Sequence, residues 1–282
     1  MLRPGTPQDA EVCGTICYNA FKTIAEKHGF PADFPAPEAA IGLMSWVLSR
    51  GDVYSVVAES EGQIVGSNFL WESGIIAGVG PVSVAPSVQD CALGRRMMEH
   101  VLDRARRQEF AGVRLAQAAY HNRSLSLYTK LGFTTREPLS CLQGPPPGAQ
   151  ISGYAVRPAK EQDLEACNRV CLAVHGHERS REVLEAIHQG TATVVEHDGR
   201  LTGYATVIGF AGHAVGETNE DLKALIGAAT AIAGPGVLVP TRNGELLRWC
   251  LQHGLRVTQP LTLMSLGVYN EPTGAFLPSV IY

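Results

Sequence analysis

Apolar residues recur along this chain with two different periods, about 3.6 residues in some stretches and two in others, and the switches between them outline its elements. A short strand near Leu2 leads into helical spacing from about Asp9 to Lys27, and a second helix is predicted from Ala36 to Ser49. Residues 53–59 and 63–71 are β-rich runs around Glu61-Gly62, a hairpin signal. A third strand is predicted over about 75–84. Met97, Met98, Val101, Leu102 and Ala105 mark one face of a helix from about Cys91 to Gln108. A strand at 113–119, a helix at 122–131 and a strand at 133–142 follow. Gln143 to Gln150 holds three consecutive prolines, which suit neither a helix interior nor a sheet ladder, so this stretch reads as a linker.

The pattern then repeats. Arg3-Pro4 through Cys17 matches Arg157-Pro158 through Cys171 without a gap, with Gln8, Asp9, Glu11 and Cys13 recurring as Gln162, Asp163, Glu165 and Cys167. Val57 to Gly62 with Gly66 is mirrored by Val194 to Gly199 with Gly203. Lys130-Leu131-Gly132-Phe133 with Glu137-Pro138-Leu139 corresponds to Gln252-His253-Gly254-Leu255 with Gln259-Pro260-Leu261. Three matches in one order imply two copies of one α/β pattern. The expected organisation is a domain at 1–142, a Pro-rich linker at 143–152 and a second domain at 153–282.

Composition narrows the setting. A length of 282 residues suits two domains, and 45% hydrophobic with 18% charged residues is an ordinary globular balance. A formal net charge of −4 lacks the basic footprint that nucleic acid demands. No apolar run approaches the roughly 18 residues of a membrane span, and the first residues lack a signal-peptide core. Seven scattered cysteines fit a reduced, cytoplasmic compartment. Cys13/Cys17 and Cys167/Cys171 sit four apart in helical segments, where packing is the expected role, and no metal site is expected.

Candidate chemistry concentrates in the first half. In Val82-Ser83-Val84-Ala85-Pro86 a strand ends, and Gln89, Asp90, Cys91, Ala92, Leu93, Gly94, Arg95 and Arg96 carry the chain into a helix. Small Ala92 and Gly94 let backbone N–H groups approach an anion, the helix start adds partial positive charge, and the two arginines add fixed charge. The stretch reads as a pyrophosphate cradle, distinct from a P-loop because no Gly-Lys-Ser/Thr follows. A second feature is Asn122 to Phe133, a helix with Asn122 as expected N-cap, Gly132 just past its end and Tyr128 within. Tyr128 either faces a cleft as a proton donor or packs with Leu125 and Leu131.

Together these features resemble the GNAT acetyltransferase superfamily, whose cofactor loop Gln/Arg-x-x-Gly-x-Gly/Ala is matched at Gln89, Ala92 and Gly94. Ala92 departs from the pattern by replacing the first glycine. The family's Asn…Leu-Tyr-x-Lys-Leu-Gly-Phe segment is matched at Asn122, Leu127, Tyr128, Lys130, Leu131, Gly132 and Phe133. The resemblance implies tandem domains, each a mixed, mostly antiparallel sheet flanked by helices, and acetyl-CoA as cofactor. It implies that two strands splay to admit the cofactor, that Val82 to Val84 pair with its pantetheine arm, and that Tyr128 protonates the CoA thiolate. For a general base, Glu72 and His121 are the candidates, each readable instead as a solvated surface group. Phe30, Asp33 and Phe34 lie where relatives shape acceptor pockets, with a hydrophobic staple as the other reading.

The second half lacks this machinery. Glu217, Glu220 and Asp221 crowd its corresponding helix start, and Cys250 stands where Tyr128 does. The expected function is transfer of an acetyl group from acetyl-CoA to a small-molecule amine, by a monomer with pseudo-dimer symmetry or a homodimer. A non-catalytic CoA sensor is the alternative.

Overall fold

The computed structural model describes residues 1–89 and 92–281. The described chain divides into two units, residues 1–134 with 264–268 and 281, and residues 135–263 with 269–280.

In the first unit, β1 (Leu2–Pro4), β2 (Val53–Ser60), β3 (Gln63–Trp71) and β4 (Ile76–Val79) pair antiparallel in that order. Glu61 and Gly62 both adopt left-handed backbone angles, the geometry that closes a tight hairpin between β2 and β3. The strand predicted over 75–84 is interrupted: after β4 a Gly80–Pro81 peptide in cis intervenes before β5 (Ser83–Val84), which pairs with β3. Parallel to β4 runs β6 (Gly112–Ala118). Alternate residues of one strand enter opposite cores, as a two-residue period requires. Phe69 and Trp71 pack with α1 (Ala10–Lys27) and α2 (Pro37–Ser49). Leu70 packs with α3 (Leu93–Arg107) and with Tyr128 of α4 (Asn122–Lys130).

The second unit repeats this plan. Its sheet contains β8 (Tyr154–Pro158), β9 (Thr193–His197), β10 (Arg200–Ala205), β11 (Ala214–Gly216) and β14 (Ala275–Leu277), all antiparallel neighbours in that order. Its helices are α5 (Leu164–His175), α6 (Ser180–His188), α7 (Asn219–Ala228) and α8 (Gly244–Gln252). Here too β7 (Thr134–Gln143) pairs with β12 (Val237–Pro240), and β13 (Arg256–Gly267) is the other neighbour of β7.

The division therefore differs from the expected one at residue 142. β7 belongs almost entirely to the second unit, and residues 264–267 lie beside β6 in the first, where Val268 N–H donates to Ala111 at 2.9 Å. The repeat supplies the reason: Glu137-Pro138-Leu139 and Gln259-Pro260-Leu261 mark equivalent strands, so either suits the same kind of sheet edge.

The two copies share their internal ties as well. Arg3 binds Asp9 bidentately at 2.8 Å and Glu59 at 2.7 Å, while Arg157 binds Asp163 at 2.7 and 2.9 Å and Glu196 at 2.7 Å. Each aspartate also accepts from the backbone N–H three residues before it, closing the turn into the first helix. Gly66 and Gly203 are equivalent too, since a Cβ at either would lie 2.7 Å from a neighbouring strand's carbonyl oxygen. Cys13, Cys17, Cys167 and Cys171 are all buried among helix-packing residues.

The Arg3 guanidinium, with the turn's N–H and hydroxyl, outweighs the burial penalty and holds the Asp9 carboxyl down at about 2. A folded-state pKa below the unfolded one gives stability that is full above about 3.9 and disappears as pH falls through about 2. Asp9→Asn is therefore expected to cost about 1–3 kcal/mol at pH 7, with the difference from wild type closing at the acid end. Urea melts of both proteins between pH 7 and 2 measure this, and a gap independent of pH would reject the ionic origin.

Candidate active site

The site begins where two strands stop pairing. β4 and β6 are in parallel register from Ile76↔Gly112 to Gly78↔Arg114, and there the pairing ends although β6 continues to Ala118. The chain after β4 turns away to form β5, whose register to β3 is Gly66↔Val84 and Ser67↔Ser83. The Ser83 and Ser67 hydroxyls lie 3.1 Å apart, and Trp71 donates to the Gly80 carbonyl at 2.8 Å, so the departing segment is tied to β3. Val82 and Val84 are half-buried. The parted strands leave a place between them for an extended ligand.

Above the gap stands the start of α3. Gln89 folds back and donates to the Val84 carbonyl at 3.3 Å. Asp90 and Cys91 of the expected cradle lie outside the described residues. Ala92 occupies the cap position at a left-handed φ of 56°, a conformation that normally selects glycine and costs alanine about 1 kcal/mol. Leu93 opens the helix, and Gly94 follows with its missing Cβ 3.9 Å from both Val84 and Leu127. A side chain there would enter the space between β5 and α4. The first turn carries no acid, and Arg95 and Arg96 are exposed, Arg95 bound to Glu99 at 2.8 Å. This helix start keeps its positive end open to an anion.

Tyr128 is 8% exposed and packs with Phe133 at 6.1 Å between ring centroids. Burial pushes its phenol up to about 12, partly offset by a hydrogen bond with Ser124. Ser124 in turn lies 2.7 Å from His121 Nδ1. His121, Ser124 and Tyr128 are spaced three and four residues apart and share one face of the helix. Ser124 thus stands between the half-buried imidazole, which it meets directly, and the buried phenol. Burial lowers the His121 pKa, and the positive charges of Arg123, His28 and Lys27 lower it further. The imidazole is thus neutral at pH 7 and able to accept a proton.

Asn122 is not the cap. His121 holds that position, and Asn122 is the first helical residue, exposed to solvent. Glu72 is not a free carboxylate either: Arg104 grips it bidentately at 2.5 and 2.8 Å and stacks at 4.1 Å over Tyr54. Both carboxylate oxygens are engaged by the guanidinium, so Glu72 is a structural anchor.

The connection between α1 and α2 brings further groups to His121. Phe30 stacks on Tyr120 at 4.3 Å with planes 11° apart, and His28 lies 5.4 Å from the same ring. Burial, then the nearby Asp33 carboxylate, push the Tyr120 phenol up to about 12. Phe34 instead packs edge-on against Phe21 in the α1–α2 core, which fits the staple reading. Tyr120 and Ser124 had no role in the sequence reading. Ser124 was visible as the helix-face neighbour of Tyr128, whereas Tyr120 meets Phe30 only through the fold.

The corresponding place in the second unit is occupied by the protein itself. Asp221, 1% exposed, accepts from the Thr218 N–H and hydroxyl at 2.9 Å each and from the Thr202 hydroxyl. Glu217 is bound to Arg200, and Lys223 to Glu220 at 2.5 Å and Glu245 at 2.7 Å. The donors that could hold an anion at this helix start already hold a carboxylate. Cys250 is fully buried, with its thiol pushed up to about 12, and serves as core.

Comparison with known proteins bears on the fold. The sequence model of the Acetyltransferase (GNAT) family matches residues 18–133. Among curated proteins, no sequence matches. A Pyrococcus horikoshii protein assigned as an acetyltransferase aligns over 100% of this chain and 92% of its own, with TM-score 0.73 and 17% identity. A GCN5-related N-acetyltransferase from Sphaerobacter thermophilus aligns over 96% of each chain, with TM-score 0.60 and 14% identity. A tandem GNAT protein from the clavulanic acid biosynthesis pathway aligns over 95% of this chain and 98% of its own, at TM-score 0.58 and 14% identity. At such identities the likeness is one of fold, and it extends over both units. No helix among the described residues is long and apolar enough to cross a membrane.

His121 should titrate below the ordinary histidine value of about 6.5. Its ring-proton shifts, followed by NMR across pH 5–8, give the midpoint directly. A midpoint at or above 6.5 would contradict the buried, positively flanked setting.

Proposed function

We propose that this protein, whose residues 18–133 match the GNAT acetyltransferase family model, is an N-acetyltransferase carrying acetyl groups from acetyl-CoA to a small-molecule amine. The observation that carries the reading is the parting of β4 and β6 below an acid-free helix start, with Gly94 facing the space between. These residues fit the cofactor: the α3 start with Arg95 and Arg96 would hold the pyrophosphate, and the backbone of Val82 to Val84 would line the pantetheine arm. When bound, acetyl-CoA supplies an acetyl group activated as a thioester.

The remaining chemistry is proton movement by this chain's own side chains. Neutral His121 accepts a proton from the attacking amine, its Nδ1 proton passes to Ser124, the Ser124 proton to Tyr128, and the Tyr128 proton to the departing thiolate. One proton enters and one leaves, so the groups need no net charge change. The chain resolves a difficulty that Tyr128 faces alone. A phenol at about 12 is a weak donor to a thiolate whose thiol has a pKa near 8.5, unless the phenol is refilled as it gives up its proton. Phe30 and Tyr120 offer an aromatic wall next to His121, and Asp33 a negative charge near Tyr120; this combination suits a cationic or aromatic amine.

Tyr128→Phe is expected to lower kcat by about 10²-fold with CoA affinity unchanged, and Ser124→Ala by about tenfold. Thiol release across an amine panel provides the assay, and equal turnover of mutant and wild type with chemistry rate-limiting would return Tyr128 to packing. CoA bound with no release for any amine would indicate a binding module rather than an enzyme.

Calorimetry of the whole chain should count one CoA per chain, and Gly94→Glu should abolish binding. Glutamate is a better helix former than glycine, and a Cβ at Gly94 would meet Val84 and Leu127 only at ordinary contact distance, so the variant should fold. Two sites per chain, or unchanged affinity in the folded variant, would place the cofactor elsewhere.

A further inference from the structure

Gln117, on β6, is 6% exposed, and neither its side-chain nitrogen nor its oxygen has a hydrogen-bond partner. A desolvated primary amide that binds nothing destabilises the fold, and native structures rarely keep one without a use. Its setting is specific. The strand alternation that turns Val113 and Leu115 toward the α3–α4 core also turns Gln117 to that face of the sheet, the face that carries Tyr128. The last β4–β6 pair is Gly78↔Arg114, so Gln117 lies three residues beyond it, and equal steps along the other strand lead to Pro81, next to Val82. The unsatisfied amide thus stands on the wall of the gap at the level where the strands have separated. Neighbouring positions on that face are apolar, and an apolar side chain of similar length would have filled the place without a polar cost.

The geometry points to Gln117 as a cofactor-positioning residue: its side-chain amide hydrogen-bonds an amide of the pantetheine arm of acetyl-CoA. This rests on the reading that the first unit binds acetyl-CoA. The chemistry is complementary, because a glutamine side chain offers N–H donors and a carbonyl acceptor, and a secondary amide offers one of each. The arrangement also separates two effects by sign. Without cofactor, Gln117 is a liability to the fold; with cofactor, the same group contributes binding.

The test compares wild type with Gln117→Leu, and with Gln117→Met as the longer apolar replacement should leucine pack poorly. Thermal melts without ligand should show Tm raised by about 2–4 °C in the better-packed variant. Calorimetry should show CoA bound about tenfold more weakly, while adenosine 3′,5′-bisphosphate, which lacks the pantetheine arm, binds as in wild type. Unchanged CoA affinity in a folded variant, equal weakening of both ligands, or a lowered Tm in both variants would overturn the assignment. Failure of wild type to bind CoA at all would overturn the acetyl-CoA reading itself, whereas normal wild-type binding with unaltered variants rejects only the role of Gln117.

Discussion

The parallel pairing of β4 with β6 lasts for three residues, and the site depends on its ending there. Backbone N–H and C=O groups inside a protein seek partners. Where two adjacent strands part within a sheet, their facing edges become a place for a ligand that can pair as a strand does. In this protein the parting is prepared by tying the departing segment to β3: β5 keeps its register there, Trp71 holds the Gly80 carbonyl, and Ser67 and Ser83 meet beneath. The gap is therefore bounded on one side by a fixed strand and on the other by β6, and its mouth lies under the positive end of α3.

What surrounds the gap divides into groups already satisfied and groups held in reserve. Glu72 with Arg104 and Arg3 with Asp9 and Glu59 are complete ion pairs that fix elements. His121, Ser124 and Tyr128 are linked to one another, yet the imidazole stays neutral because burial and neighbouring cations disfavour its charge. Gln117 is unsatisfied outright. The Gln117 amide thus holds hydrogen-bonding capacity in reserve beside the gap.

The second unit shows the same scaffold with the opening closed from within. The repeated Arg–Asp–Glu tie, the close-packed glycine and the left-handed hairpin turn at Asp198-Gly199 are all retained. The helix start has instead acquired Asp221, whose carboxylate takes the donors that Ala92 to Arg96 leave available in the first unit. Such a substitution improves the local cap and fills with a carboxylate the place that the first copy leaves without an acid.

The amino-acid sequence by itself determined the repeat, most elements to within a residue or two, and the contrast between an acid-free helix start in the first copy and an acidic one in the second. These are local properties: periodicity, turn chemistry and the charge of a few neighbouring residues. Sequence placed Tyr128 on a helix, and its spacing to Ser124 and His121 contained their linkage, although the hydrogen bonds had to be seen to be counted. Only the tertiary structure decided which strand lies beside β6. β7 and β13 are matching strands of the repeat with no local feature to choose between them, and the choice rests on contacts between residues far apart in the chain. Only the tertiary structure committed Glu72 to Arg104, 32 residues away, and stacked Phe30 on Tyr120. Gln117 appears in the sequence as one polar residue in a strand; that it lacks a partner is a statement about every atom around it, which no local pattern contains.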